Sequence, residues 1–278
     1  MNRGTRHQAR KVLAYVRKLF NWSIARDAYA LEASPCDRVL PKEIVGKLKP
    51  RQRVLSDDEL RFVWRATFRL GATEEVEAEF PDYPFGPFVR MLMITGQRLR
   101  EVSDAGKPEI DGALWTIPPE RMKGDAGHEV PLSPMARDLL KSLPSFKGEF
   151  IFTTTSGKRP ISGFSKTKAR LDGIIAAPEL REEDAEGAEV APMQRWTYHD
   201  LRRTVRTRLP ALGVPDLICE IILAHRRPEL HETYDRHKYR DEKRNALEQW
   251  AVRLRSIVEP PPANVVSIHS AEQASAQV

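Results

Sequence analysis

The chain has 278 residues and a mass of 31.7 kDa, and its 41% hydrophobic and 30% charged residues are typical of a globular protein with a sizeable core. No uninterrupted apolar run could span a bilayer, and the N-terminus lacks the apolar segment of a signal peptide, so we expect a cytoplasmic protein. The two cysteines, Cys36 and Cys219, exclude a disulfide framework and a four-cysteine zinc site. The net charge of +6 indicates a polyanionic partner.

The positive charge is concentrated near the N-terminus. Residues 1–53 contain 13 lysines and arginines and 4 acidic residues, whereas the rest of the chain carries a net charge of −3. One interpretation is a helical segment that contacts phosphates, and the other is a solvated basic helix with a linker. Charge alone does not decide between them.

This basic segment predicts a long helix followed by an extended linker. Apolar residues at helical spacing indicate an amphipathic helix over residues 7–26, namely Val12, Val16, Leu19 and Phe20. A second short helix is expected at residues 28–31, and prolines at positions 35, 41 and 50 indicate an extended basic linker. Such a segment buries little core, so it needs the rest of the chain, a partner or further residues to pack against.

The remaining sequence predicts mostly helices and a small antiparallel sheet. Ser56-Asp-Asp-Glu59 is a capping-box signature, and Ser133-Pro134 begins a helix that extends to about Leu143. The other predicted elements are a buried helix from Phe85 to Ile94 ending at Gly96, strands Leu114–Ile117, Glu129–Leu132 and Ile151–Thr153, and helices over residues 200–212, 215–223 and 241–257.

Four short fragments are informative together rather than singly. They are Thr95–Glu101, Arg121–Lys123, His199–Arg202, and His225 followed nine residues later by Tyr234. Taken alone, each is typical of ordinary structure, since an arginine after a helix-ending glycine is usually exposed and a tyrosine near a helix end is usually half-buried. Their order along the chain is Arg, Lys in a hairpin turn, His-x-x-Arg, His and Tyr.

In this order the fragments resemble the tyrosine recombinase (phage integrase) family. The resemblance extends over residues 1–258. Four stretches resemble the prophage-integrase branch of the family, namely RVLSDDEL, WTIPPERMK, HEVPLSP and HDLRRTVRTRL. It implies a mainly α fold with a small antiparallel β-sheet (α+β). The implied domains are a partial helical core-binding segment with a basic linker at 1–53, a catalytic domain at 54–258 and a disordered tail at 259–278.

The resemblance implies a site-specific DNA recombinase that works through a 3′-phosphotyrosyl intermediate, without metal, ATP or another cofactor. Arg98 and Arg202 would grip the non-bridging oxygens of a phosphodiester with their planar guanidinium groups. His199 lies one helical turn before Arg202, so it would face the same way and donate to the phosphate or assist proton transfer. Tyr234 would be the nucleophile.

Further residues are assigned supporting roles. Lys123 would protonate the 5′-oxygen leaving group, and His225 would hold another non-bridging oxygen. Glu101 would orient its neighbours, the alternative being an ordinary surface pair on a helix. Tyr239 is a rival nucleophile, but the nine-residue step from His225 favours Tyr234. The candidate DNA contacts are Arg10, Lys11, Arg17, Lys18 and Arg203, with Arg206 and Arg208 expected to contact phosphate or to be solvated.

The sequence departs from the family pattern at three places. Ala224 stands where the family usually has glycine before the second histidine, a change that matters if the backbone needs a positive φ there. After Glu101 the sequence is polar and broken, which predicts weaker support for the helix beside Arg98. Residues 1–53 resemble only the last part of a core-binding domain, which implies an incomplete clamp around DNA. We expect either an N-terminally truncated recombinase or a start codon that is assigned too late.

The expected partner is double-stranded DNA with attachment sites, bound by a homotetramer, with accessory DNA-bending or excision factors as further candidates. The expected location is the cytoplasm, in association with the nucleoid and not with membranes. The helix at 241–257 resembles a segment that packs against a neighbouring protomer, with Trp250 as the test position. The alternatives are an inactive or DNA-binding-only prophage remnant and a type IB topoisomerase-like enzyme, which the flanking sequence disfavours.

Overall fold

The computed structural model describes residues 6–46, 51–71, 80–122, 126–177, 192–225 and 239–260. Contacts along the chain divide it into two compact units, Met1–Gln52 and Arg53–Val278. No helix in the described ranges is both long enough and apolar enough to cross a membrane.

The first unit contains two helices, α1 (Arg6–Ile24) and α2 (Pro41–Val45). The predicted long helix is confirmed by α1, whereas the prediction of a wholly extended linker is wrong because α2 lies within it. Pro41 occupies the first turn of α2, where its fixed φ suits a helix and its missing N–H costs no hydrogen bond. The short helix expected at residues 28–31 is a distorted 3₁₀ turn, Ala28–Ala30, in which Tyr29 has a positive φ.

Much of the apolar surface of α1 faces outward within this unit. Leu13 is buried, but the side chains of Val12 and Leu19, which the periodicity placed on the packed face, are about 60% exposed. Arg17 turns back to the following loop, where its guanidinium donates hydrogen bonds to the carbonyls of Cys36 and Val39. The loop is therefore held to α1 by a basic side chain.

The second unit begins with a helix whose cap was predicted from sequence. Ser56 Oγ accepts a hydrogen bond from the Glu59 amide at 3.1 Å, and Glu59 Oε2 accepts one from the Ser56 amide at 2.9 Å. These reciprocal bonds satisfy two N–H groups that the first helical turn leaves unpaired. The helices described in this unit are α3 (Asp57–Thr67), α4 (Phe85–Thr95), α5 (Leu99–Ser103), α6 (Pro134–Lys141), α7 (Phe164–Ala176), α8 (Tyr198–Arg208), α9 (Asp216–Ile222) and α10 (Arg240–Val258).

A three-stranded antiparallel sheet lies between α5 and α6 in the sequence, in the order β1 (Ile110–Asp111), β2 (Leu114–Ile117) and β3 (His128–Pro131). In the β2–β3 register Trp115 pairs with Val130, and Ile117 pairs with His128. The prediction of a strand at Ile151–Thr153 is wrong, because this stretch forms bends beside an isolated bridge between Gly106 and Phe150. The two-residue β1 was not predicted.

The core of the second unit is built around α4, in which every residue from Gly86 to Thr95 is buried. Helices α3, α6, α8 and α10 pack against it. Trp250 of α10 is fully buried, and its Nε1 donates to the Met93 carbonyl at 2.9 Å. Trp250 therefore belongs to the core of its own unit and is a poor probe of the expected packing of this helix against a neighbouring protomer, which stays a prediction.

Candidate active site

The site begins at the turn that ends α4. Gly96 has a φ of +65°, a left-handed conformation that residues with a side chain rarely adopt. A Cβ at this position would lie 3.0 Å from Cγ1 of Val205, so the close approach of α8 also requires glycine. The Gly96 carbonyl accepts a hydrogen bond from Arg202 Nη1 at 3.1 Å. The glycine thus lets the end of α4 reach an arginine of α8.

Arg98 is fixed at the start of α5 by Glu101. The Arg98 amide donates to Glu101 Oε2 at 2.7 Å, and Arg98 Nη1 donates to Glu101 Oε1 at 2.6 Å. Glu101 is 3% exposed, so the alternative of an ordinary surface pair is wrong. The five-residue helix α5 is short, as the broken sequence after Glu101 predicted, but this buried carboxylate supports its first turn.

Arg202 lies on α8 and is 3% exposed. Burial and, to a lesser extent, the positive charge of Arg98 lower its pKa from 12.5 to about 10 against the opposing charges of Glu101 and Glu220. The guanidinium therefore remains protonated at neutral pH. Its two described hydrogen bonds go to the backbone carbonyls of Gly96 and Leu223.

His199 shares a pocket with both arginines. The pocket has a volume of about 210 Å³ and is lined by Gln97, Arg98, Leu99, Thr197, Tyr198, His199 and Arg202. Partial desolvation by the surrounding protein lowers the pKa of His199 below 6.5, and the charges of Arg203 and Arg202 add to this effect. The imidazole is therefore neutral at pH 7, with one nitrogen able to donate and the other able to accept.

The C-terminal end of α9 supplies three successive carbonyls to this site. The last carbonyls of a helix have no partner within it. Here the Ile222 carbonyl accepts from Gln97 Nε2, the Leu223 carbonyl from Arg202 Nη2, and the Ala224 carbonyl from Arg98 Nη2. We call residues Ile222–Ala224 the carbonyl turn. It holds both arginines, which come from different elements.

Ala224, within the carbonyl turn, has a φ of +45°. The replacement of the usual glycine by alanine therefore matters, because the backbone at this position is left-handed. An alanine in this conformation costs about 1–2 kcal/mol relative to its ordinary conformation.

His225 follows the turn and is bonded to Glu220 of α9. Its Nδ1 contacts Glu220 Oε2, and the imidazole is exposed. Burial raises the pKa of Glu220, but hydrogen bonds from Arg206 and His225 outweigh this and hold the pKa below 4.5. His225 is absent from the described lining of the pocket, so the structure brings together Arg98, His199 and Arg202 and leaves His225 at their side.

The sequence matches the phage integrase family over residues 77–241, more than half of the chain. The chain belongs to the phage integrase family. All six motif residues of the predicted site, from Arg98 to Tyr234, fall within the matched range.

One curated member of the family is similar to this chain over part of its length. The prophage integrase IntA of Escherichia coli (strain K12) is 29% identical over 169 residues, which are 57% of this chain and 36% of that protein. The chain thus spans about a third of the length of this curated relative.

Two solved structures are also similar. A lambda integrase (75–356) dimer bound to a COC′ core site has a TM-score of 0.54 at 16% identity, over 81% of this chain and 77% of that one. A lambda integrase tetramer bound to a Holliday junction has a TM-score of 0.51 at 16% identity, over 79% and 58%. At these identities the likeness concerns the fold alone, and it confirms the predicted mainly α fold with a small antiparallel sheet.

Two predicted catalytic residues of this integrase-family chain, Lys123 and Tyr234, lie outside the described residues. Arg121, two positions before Lys123, donates to the Glu101 carbonyl at 2.6 Å and pairs with Glu109. The rival nucleophile Tyr239 precedes α10 and is partly buried against the core.

The predicted DNA-contact residues differ in whether their side chains are exposed or already bonded to other protein groups. Arg10, Lys11 and Lys18 are exposed on α1, whereas Arg17 binds backbone carbonyls. Arg203 pairs with Asp200. Arg206 pairs with Asp216 and Glu220, and Arg208 pairs with Asp57, so both are engaged in ion pairs rather than merely solvated.

Two buried residues of the site carry no role in the sequence interpretation. Gln97 and His128 both reach the carbonyl turn, and both stand within stretches that carried the family resemblance. Their partner, Ile222, is about a hundred residues away in the sequence, so no local spacing could have identified the contact. Within the described ranges, no cluster of three or more His, Cys, Asp or Glu side chains is arranged to hold a metal ion.

Proposed function

We propose that this chain is a site-specific DNA recombinase (integrase) that cleaves and rejoins strands through a 3′-phosphotyrosyl intermediate. The observation that carries the proposal is the pocket in which Arg98, His199 and Arg202 converge from two separate parts of the chain. Two guanidinium groups and a neutral imidazole at one point form a site for a phosphodiester, whose extra charge in the transition state they would stabilise.

The arginines have hydrogen-bonding capacity to spare for a phosphate. Each guanidinium carries five N–H donors. The protein contacts described above use two of those donors on Arg202 and two on Arg98. Both side chains line the pocket, so the remaining donors suit non-bridging phosphate oxygens. His199 and His225 would donate to the same phosphate.

We assign the covalent steps to residues matched in sequence. The phenolic oxygen of Tyr234 gives its proton to His199 and attacks phosphorus, the phosphorus–5′-oxygen bond breaks, and Lys123 protonates the 5′-oxygen. The phosphotyrosyl ester retains the bond energy, so a 5′-hydroxyl can reverse the reaction without ATP. Side chains neutralise the phosphate charge, so the proposal requires no metal or other cofactor.

The proposed partner is double-stranded DNA with attachment sites. Support comes from the lambda integrase structures, which contain a core site and a Holliday junction and include a dimer and a tetramer. By analogy we propose a homotetramer on DNA, a core-binding role for residues 1–53, a catalytic role for residues 54–258, accessory DNA-bending or excision factors, and a nucleoid-associated location in the cytoplasm.

The proposal is tested by trapping the covalent intermediate. Nicked duplexes tiled across the DNA that flanks the gene serve as suicide substrates, because loss of a short 5′-hydroxyl strand prevents rejoining. We expect a denaturant-resistant protein–DNA adduct with the wild type and its complete loss in Tyr234→Phe, which lacks the attacking oxygen. Gel electrophoresis in SDS measures the adduct.

Tyr239→Phe is the matched control, because it removes the same oxygen five residues away and should leave the adduct unchanged. Loss of the adduct in Tyr239→Phe alone would contradict the assignment of the nucleophile. Sequence-specific binding by a wild type that forms no adduct would support the DNA-binding-only alternative.

A further inference from the structure

The carbonyl of Ile222 is held from two sides. Gln97 Nε2 and His128 Nε2 each donate a hydrogen bond to this oxygen, both at 3.0 Å. Gln97 follows α4 and is 1% exposed, whereas His128 begins β3 and is 6% exposed. A carbonyl oxygen has two lone pairs, so the two donors saturate it. The end of α9 is therefore attached to both the helical core and the sheet.

The next two carbonyls bind the arginines of the site. Leu223 and Ala224 follow directly, so the orientation of the Ile222 peptide limits where their carbonyls point. The positive φ of Ala224 is unfavourable, and such a conformation persists only where surrounding contacts fix it. The two donors at Ile222 are such contacts, because they secure the residue at which the turn leaves α9.

We propose that Gln97 and His128 are positioning residues that hold the carbonyl turn so that Arg98 and Arg202 meet the scissile phosphate. This inference rests on the proposed recombinase function. His128 acts through the Ile222 carbonyl, since it is absent from the described lining of the pocket. The hydrogen bond also joins the hairpin strand β3 to the arginine site.

Three variants separate the two donors. His128→Leu removes one donor at similar volume, His128→Gln keeps an amide donor near the position of Nε2, and Gln97→Met removes the other donor at similar length. His128→Leu and Gln97→Met each leave the Ile222 carbonyl with one donor, whereas His128→Gln leaves it with two. We therefore expect His128→Leu and Gln97→Met each to slow cleavage modestly and His128→Gln to cleave at close to the wild-type rate. In the double variant that combines His128→Leu with Gln97→Met, the loss of cleavage rate should be about tenfold greater than the product of the two single losses.

A modified substrate distinguishes positioning from simple loss of stability. A methylphosphonate at the scissile position removes one non-bridging oxygen and with it the arginine contacts to that oxygen. In the wild type this change should slow cleavage strongly. We call the ratio of the cleavage rate on the ordinary phosphate to that on the methylphosphonate the methylphosphonate penalty. In the double variant, where the arginines are displaced, we expect this penalty to shrink at least about threefold. A purely structural loss scales both rates equally and leaves their ratio unchanged.

Leu171→Ala is the stability control, because Leu171 is fully buried on α7 and does not line the pocket. It should lower the free energy of unfolding without changing the methylphosphonate penalty. An unchanged penalty and additive single effects in the Gln97 and His128 variants would overturn the inference.

Amide hydrogen exchange gives a readout that does not need activity. The Ala224 and His225 amides donate to the carbonyls of Ile221 and Glu220 at 3.0 and 3.1 Å. In the double variant, but not in Leu171→Ala, both should exchange about tenfold faster relative to the Leu209 amide at the end of α8. If the wild type cleaves neither substrate, the proposed function fails. The exchange rates then decide the inference, and unchanged rates would overturn it.

Discussion

Ala224 shows how much of the site depends on a single backbone conformation. Its carbonyl accepts a hydrogen bond from Arg98 Nη2 at 3.1 Å, and its φ of +45° lies in a region that favours glycine. Because the strained residue carries this contact, relieving the strain should stabilise the fold without removing the carbonyl. The strain at Ala224 thus lowers the free energy of unfolding, and a substitution at this position could restore it.

We predict that Ala224→Gly raises the free energy of unfolding by about 1 kcal/mol, because glycine adopts a positive φ without steric penalty. Urea denaturation monitored by tryptophan fluorescence measures the change. The matched control is Ala246→Gly within α10, where the backbone is helical and the same substitution should destabilise by about 1 kcal/mol or more. Destabilisation by both substitutions would contradict the conformational argument.

Sequence predicted the residues of the site whose relationship is local. His199 and Arg202 stand one helical turn apart, so spacing places them on one face of a helix. Arg98 was joined to them only by the family resemblance. Gln97 and His128 were missed because their contact with Ile222 joins distant parts of the chain. The local pattern around His128 indicates only a strand residue.

At the scale of elements, β3 meets α9 through an imidazole that the fold keeps neutral. Burial, together with the charges of Lys243 and Arg202, lowers the pKa of His128 from 6.5 to about 4, although Glu101 and the Ile222 carbonyl act in the opposite direction. The unfolded chain therefore binds this proton at higher pH than the folded chain does. Acid should weaken the junction between the sheet and α9.

We predict that the stabilising contribution of His128 is complete above about pH 6.5 and is lost as the pH falls toward 4. His128→Gln provides the reference because it does not titrate. Relative to that variant, the wild type should lose up to about 3 kcal/mol in free energy of unfolding between pH 7 and pH 4. Urea denaturation across this range measures the difference, and a difference independent of pH would disprove the prediction.

Elements defined by local caps were predicted well, whereas elements defined by distant partners were not. The helix starts at Ser56 and Ser133 follow from side chains that bond within the same turn. Sequence could not reveal β1, which exists through its pairing with β2. Pro41 is compatible with an extended linker and equally with the first turn of a helix, so the sequence alone does not reveal α2.

At the scale of the molecule, the net positive charge belongs to one of the two units. The first unit presents Arg10, Lys11 and Lys18 as exposed side chains on α1. In the second unit many arginines are engaged in ion pairs, including Arg206 and Arg208. The first unit is therefore the expected source of nonspecific attraction to DNA, and the second unit contains the proposed active site.

We predict that replacing Arg10, Lys11 and Lys18 together by alanine weakens DNA binding and reduces its salt dependence. Each phosphate contact contributes about 0.9 to the slope of log K against log salt, so losing three lowers the slope by up to about 3. Fluorescence anisotropy at several salt concentrations measures it. Arg61→Ala, which removes a charge paired with Asp58, is the control, and equal slopes for all three proteins would refute the prediction.

The way Arg202 is held has a consequence for ligand-linked stability. Its described hydrogen bonds go to neutral carbonyls, so the guanidinium is fixed in place while keeping its full charge. The desolvation of a cation held only by neutral groups destabilises the free protein. A phosphate anion in the pocket would act as its counter-ion, so the substrate itself would complete the electrostatics of the fold. DNA binding would then raise the melting temperature by an amount set by the DNA concentration relative to the dissociation constant.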